Sequence, residues 1–188
     1  MPKYNKTIYA ILGLLNHEDM TGYEIKKRIE QSLKYFWSAS FGQIYPALKS
    51  LEEMAWVICQ NQSGQLGPDR ISYAITNEGR ENLIQWLSIP AEKEQTKYEI
   101  LLKLFFSGAI KPEVSIQNIC DFRDRNAATL KQFNIFKDQL EPIRKVNEDH
   151  TYFYLTVLFG EKIQKAYLEW ADEAIEILSQ LDETQDNR

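Results

Sequence analysis

The sequence is poor in the residues that carry most chemistry. Its two cysteines, Cys59 and Cys120, lie far apart with no histidine or cysteine at ligand spacing, so neither a disulfide framework nor a zinc site is expected. That usage suits a reducing cytoplasm. The two histidines, His17 and His150, are solitary and read as surface residues. No glycine-rich phosphate loop, HExxH or GxSxG occurs, and the adjacent pairs Glu52-Glu53 and Asp172-Glu173 are not facing dyads. The chain is therefore expected to be no enzyme and to carry no cofactor or metal. No apolar run approaches the roughly 20 residues of a membrane span. Ile8 to Leu15 lacks a small-residue cleavage site and runs into Glu18 and Asp19, so it reads as a core helix rather than a signal sequence.

Cations are also in the minority: 22 Lys and Arg face 27 Asp and Glu, for a net charge of −5. This excludes a chain coated in basic residues, but the imbalance is uneven. Residues 1–50 hold seven cations and four acids, a local surplus of +3 that leaves −8 for the remainder. A basic N-terminal portion on an acidic body suits a protein that touches nucleic acid with one face. With 188 residues, 44% of them hydrophobic, there is enough apolar material for a core of ordinary size.

The chain turns on the stretch Trp37 to Ile58. Ile44, Ala47, Leu48, Leu51 and Ala55 fall at helical spacing on one stripe, which predicts a buried face. The opposite side carries Gln43, Tyr45, Lys49 and Ser50, groups that can reach phosphates and base edges. Ser40 with Gln43 fits a capping box at the helix start. Pro46 implies either a start nearer Gly42 or one missing backbone bond in the early turns.

Two helices precede this one. The first spans Lys6 to Asn16 with Ile8, Ile11, Leu12 and Leu15 inward, and the second opens on the capping box Thr21-Gly22-Tyr23-Glu24 and buries Ile25, Ile29 and Leu33. Lys34 to Ala39 is an aromatic connection longer than a tight helix-turn-helix turn, with Phe36 and Trp37 packing the corner. After the third helix the period changes to two. Trp56 to Gln60 reads as a strand, Asn61 to Asp69 as a loop, and Arg70 to Thr76 as a strand with Ile71, Tyr73 and Ile75 inward. Thr76 caps a fourth helix through Leu87, with Leu83, Trp86 and Leu87 apolar. Three helices, a hairpin and a helix are the order of a winged helix-turn-helix domain, whose third helix enters the major groove. A small α+β domain without nucleic acid has the same order.

The segments GYEI at residues 22–25, SFGQIYPALKSLE at 40–52, WVI at 56–58 and YAITNEG at 73–79 resemble the PadR family of bacterial transcriptional regulators. Those motifs cover about the first 88 residues. The resemblance implies a mainly α protein: an N-terminal winged helix-turn-helix domain at residues 1–90 and a C-terminal antiparallel helical dimerisation domain at 91–188. It further implies a homodimeric, cytoplasmic transcriptional regulator, commonly a repressor, of the subgroup that includes phenolic-acid sensors and virulence regulators. Groove contact falls by position on the start of the third helix. There Gln43 can pair with adenine, Tyr45 can meet a phosphate or a thymine methyl, and Lys49 can reach guanine or phosphate. Ser38 and Ser40 suit phosphate positioning at the helix start, and Thr21 and Lys6 suit it at the flank. The wing departs from the basic wings common in the family, because Arg70 is its one cation and Asp69 offsets it. Each of these residues reads equally as a solvated surface group.

Ile89 to Thr96, with Pro90, marks the boundary between the halves. Beyond it, Tyr98 to Ser107 reads as a helix with Ile100, Leu101, Leu104 and Phe105 inward and Gly108 as its stop. Pro112 to Leu140 reads as a second helix, apolar at Ile119, Phe122, Leu130, Phe133, Phe136 and Leu140, with Pro142 ending or kinking it. Asp149 to Leu181 is the longest helix, roughly 50 Å. Its apolar stripe runs through Tyr152, Leu155, Phe159, Ile163, Ala166, Trp170, Ala174, Ile177 and Leu181, at steps close to 3.6 residues per turn, and so stays straight. Such a helix is too long for its own chain to bury. A second copy is expected over Tyr152, Leu155, Phe159, Ile163, Tyr167, Trp170 and Ile177, and the two-fold axis implies a palindromic operator. Twelve aromatic residues in this half serve as core, as interface or as the lining for a small aromatic effector. A dimeric module that binds protein in place of DNA is the alternative reading.

Overall fold

The computed structural model describes residues 6–37, 39–62, 70–93 and 96–186. The chain forms two compact units, Met1–Lys93 and Glu94–Arg188. No helix among the described residues is long and apolar enough to cross a membrane.

In the first unit, helix α1 (Thr7–Leu15) buries Ile8, Ile11, Leu12 and Leu15 as its spacing predicts. A two-residue strand, β1 (Met20–Thr21), follows. It pairs Met20 with Tyr73 and Thr21 with Ser72, and the sequence does not announce it because two residues carry no period. Helix α2 (Gly22–Arg28) begins at the predicted capping box. Thr21 Oγ1 accepts from the Glu24 N–H at 3.2 Å, and the Glu24 carboxylate accepts from the Thr21 N–H at 2.8 Å. Rather than stopping, α2 widens into a π-helical turn over Ile29–Leu33, which carries the buried Ile29 and reaches the aromatic corner.

Helix α3 (Phe41–Glu53) tolerates Pro46 in its second turn. It buries Ile44, Ala47, Leu48 and Leu51 in the core. Ala55, expected on that stripe, lies beyond the helix end with φ of 57° and is exposed. The Ala55 N–H donates to the Glu52 carbonyl and the Trp56 N–H to the Leu51 carbonyl, both at 2.9 Å. This is a Schellman stop with alanine in the left-handed position that usually holds glycine. It turns the chain so that Trp56 falls back into the core beside Leu51.

Strands β2 (Val57–Gln62) and β3 (Arg70–Ile75) pair antiparallel in register from Val57 with Ile75 to Gln62 with Arg70. The sheet order is β1-β3-β2. The expected inward set on β3 is only partly realised: Tyr73 and Ile75 rest against the core, but Ile71 is exposed and the small Ser72 and Ala74 are buried. Helix α4 (Asn77–Leu87) is capped by Thr76, whose Oγ1 accepts from the Gly79 N–H at 3.0 Å. Gly79 is required here, since a Cβ would overlap the Trp56 carbonyl. Leu83 is buried and Trp86 stacks on Tyr9 with ring centroids 4.5 Å apart, while Leu87, the third apolar residue of this helix, is exposed.

The second unit holds α5 (Glu99–Phe105), α6 (Pro112–Leu140) and α7 (Glu148–Asp186). Leu101 and Phe105 of α5, read as inward, are exposed, and Phe105 is 83% so. Helices α6 and α7 form a long hairpin. Phe122 meets Tyr167 and Trp170 edge-on at 5.6 and 5.5 Å, Phe133 lies on Gly160, and Lys137 pairs with Glu161 at 2.9 Å. Rising numbers on one helix meet falling numbers on the other, so the pair is antiparallel. Tyr167 and Trp170 thus belong to the chain's own seam. His150 is partly buried, its Nδ1 3.0 Å from the Ile143 carbonyl.

Candidate nucleic-acid interface

The outward face of α3 presents Gln43, Tyr45, Pro46, Lys49 and Ser50, all exposed, against the buried Ile44, Ala47 and Leu48. The first turn carries no acidic residue. The positive end of the helix dipole therefore meets no like-signed competition for an anion. Within this frame the described candidates take the following places.

Gln43 closes the cap. Its Oε1 accepts from the Ser40 N–H at 3.0 Å and lies 3.4 Å from Ser40 Oγ. The cap therefore fixes both residues at the helix entry and engages Gln43 through its oxygen, with Nε2 as the amide's donor. Two-point pairing with adenine calls on the oxygen as well, so it requires the cap to open.

Tyr45 is 49% exposed and lies across the start of α2. A Cβ at Gly22 would stand 2.9 Å from Tyr45 Cε1 and 3.2 Å from its hydroxyl. Glycine at that position admits the ring, and the ring ties the two helices together at the exposed surface. Lys49 is exposed with its Nζ 3.9 Å from Glu53, a contact that leaves the ammonium free to swing.

The flanking candidates are differently engaged. Thr21 spends its hydroxyl on the α2 cap, donating to Glu24 at 2.9 Å. Lys6 is paired with Glu92 at 2.8 Å. Arg70 sits in β3 opposite Gln62, but its side chain lies outside the described residues, as does Ser38. The structure thus brings Ser40, Gln43, Tyr45 and Lys49 onto one surface with the start of α2, and it commits Lys6 to an intradomain pair.

Two residues on α2 went unread from the sequence. Tyr23 and Lys27 are exposed one turn apart, opposite the buried Ile25 and Ile29. Within the basic run Lys26 pairs with Glu30 at 3.1 Å and Arg28 with Glu18 at 2.8 Å. Lys27 has no acidic partner among the described residues. The signal was available, because acids at i+4 and in the preceding loop remove two of the three cations from play.

Partial burial and the neighbouring Glu52 push the Cys59 thiol up, away from the reactive thiolate. No cluster of three or more metal-ligating side chains occurs among the described residues.

The model of the transcriptional regulator PadR-like family matches residues 11–85, and that of the virulence activator alpha C-terminal region matches residues 96–179. Across its first unit the chain thus matches the PadR-like transcriptional regulators. This is a family of regulators and not of enzymes. The PadR-like chain is 28% identical over 178 residues to the negative transcriptional regulator PadR of Bacillus subtilis, covering 90% of this chain and 96% of that one. Bacillus subtilis PadR in complex with operator DNA superposes with a TM-score of 0.83 at 25% identity, over 93% of this chain and 99% of that one. The same protein with p-coumaric acid gives a TM-score of 0.76, again at 25% identity and the same coverage. The mainly α architecture, a winged helix followed by a helical region, is that of these regulators.

Proposed function

We propose that this chain is a cytoplasmic, homodimeric repressor that reads a two-fold symmetric operator. In this reading α3 enters the major groove. The capped start of α3, with Ser40 and the early N–H groups, seats a phosphate, and Gln43, Tyr45 and Lys49 meet base edges or the adjoining backbone. Tyr23 and Lys27 extend the contact along the flank. The two heads of a dimer would address half-sites one DNA turn apart, about 34 Å.

The observation that carries the proposal is the outward face of α3, polar, free of acid in its first turn and braced by Tyr45 on Gly22. Support comes from the operator complex of a regulator with this fold, and the repressor assignment from a relative that is a negative regulator. A small aromatic effector is part of the proposal too. It rests on the p-coumaric acid complex of that neighbour and on the aromatic residues of the second unit. Release would follow if the effector preferred a dimer whose heads are set at a spacing the operator does not fit.

The test is selection from a random duplex pool at moderate salt, with the wild type and Gln43→Ala/Lys49→Ala in parallel. The expected result is a palindrome enriched by the wild type and lost by the variant. Enrichment of nothing by either protein, with no wild-type binding at low salt, would overturn DNA reading.

A further inference from the structure

Within the second unit a hydrogen bond joins two phenols. The Tyr98 and Tyr167 hydroxyls lie 2.8 Å apart, and their rings meet edge-on with centroids 6.0 Å apart. Phe122 packs edge-on against both Tyr167 and Trp170, so the Tyr167 phenol sits among aromatic rings. Burial first, and the Tyr98 hydroxyl second, push the Tyr167 phenol up to about 12. It therefore stays protonated at neutral pH and can donate as well as accept.

The two partners are unequally held. Tyr167 lies in the body of α7, within the seam against α6. Tyr98 is the N-cap of α5, a seven-residue helix that buries none of its residues, and its side chain makes no bond to the helix start. Its ring is 38% exposed. Neutral hydrogen bond and ring edge are both interactions that a free phenol can reproduce. We propose that Tyr98 is the built-in occupant of a phenol-binding site, and that a small aromatic ligand displaces its ring and takes its place against Tyr167. The ring to be displaced defines the ligand: tyrosine is itself a phenol substituted para to the hydroxyl, so the site takes a 4-hydroxyphenyl compound. The inference rests on the small aromatic effector of the proposed function and gives it a site. The exchange also supplies a motion. Tyr98 stands shortly after Lys93, where the first unit ends, so release of its ring frees the point at which the chain enters the second unit.

The experiment is titration calorimetry on the full-length protein with p-coumaric acid and with cinnamic acid, which lacks only the phenolic hydroxyl. Tyr98→Ala should bind p-coumaric acid at least about threefold more tightly than the wild type, because the site no longer has to be vacated. The Tyr167 hydroxyl is tested on that background, since in the wild type its loss would weaken occupant and ligand alike. Adding Tyr167→Phe to Tyr98→Ala should weaken p-coumaric acid about tenfold and leave cinnamic acid within about twofold. A general loosening of the seam would move both ligands together. If the wild type binds p-coumaric acid and neither Tyr98→Ala nor the double variant changes its affinity, this site is overturned and the effector of the proposed function stands. Absence of p-coumaric acid binding in the wild type and in Tyr98→Ala alike would overturn the site and a phenolic effector together, with the operator proposal untouched.

Discussion

Ala55 is a residue in a conformation that its side chain opposes. In the left-handed region a Cβ crowds the following carbonyl, at a cost of about 1 kcal/mol relative to glycine. Ala55→Gly is therefore expected to stabilise the first unit by about 1 kcal/mol, less the extra freedom glycine gives the unfolded chain, which thermal denaturation would read as a higher Tm. Gly22 is the opposite case. An added Cβ meets only the far end of the Tyr45 ring, which can swing aside. Gly22→Ala should cost little stability yet weaken operator binding several-fold, because the ring that braces the reading surface would be displaced. Loss of stability comparable to loss of affinity would count against that role. The capping pairs Thr21 with Glu24 and Ser40 with Gln43 were legible in the sequence because each is a local bargain between residues three apart. Ala55 was not, since the stop depends on helix geometry and the residue there is not the glycine that signals it.

Helices α6 and α7 are joined by a charge as well as by rings. Glu161 is 3% exposed and accepts from Lys165 at 2.6 Å and Lys137 at 2.9 Å. Those hydrogen bonds, Lys165 first and Lys137 second, pull its carboxyl down to about 2. A folded pKa below the unfolded one means that the stabilisation is complete above about pH 4.5 and is lost as pH falls toward 2. Discounting for the half-exposed Lys165, the contribution is on the order of 2 kcal/mol. Between pH 5 and 3 the wild type should lose more stability than Glu161→Gln in denaturant titrations; parallel losses would show that Glu161 is not the group responsible. The hairpin also depends on Gly160, where a Cβ would overlap the Phe133 ring. Gly160→Ala should destabilise the pair by about 1–3 kcal/mol, with Phe133→Leu recovering part of the loss in the double variant. The start and end of α6 were readable from Pro112 and Pro142. The exposure of α5 was not, because its apolar spacing alone does not say which side chains its own chain buries.

For the whole molecule, the scarcity of cations sets how binding responds to salt. On the candidate surface Lys49 and Lys27 stand exposed, and the remaining cations of α2 are held by acids. With roughly three phosphates met per head, a dimer should show a slope of log affinity against log salt of about −5, shallower than that of heavily basic repressors. A slope twice as steep would mean that cations outside this surface make contact. In the proposed reading, specificity would then lean on the polar face of α3 and on hydrogen-bond donors fixed by the fold, which salt screens weakly.

The base of the β2–β3 hairpin has a consequence for how such regulators diversify. The Trp56 carbonyl accepts from the Thr76 N–H at 3.0 Å, the Ala55 carbonyl from the Thr76 hydroxyl at 2.8 Å, and Gly79 closes against the same peptide. These ties hold the strands at their root whatever joins them at the far end. A hairpin anchored in this way is a socket: residues 63–69 can be lengthened, shortened or exchanged for a basic loop while α3 keeps its seat. If α3 reads the operator as proposed, exchange of that one short segment would leave the choice of operator untouched.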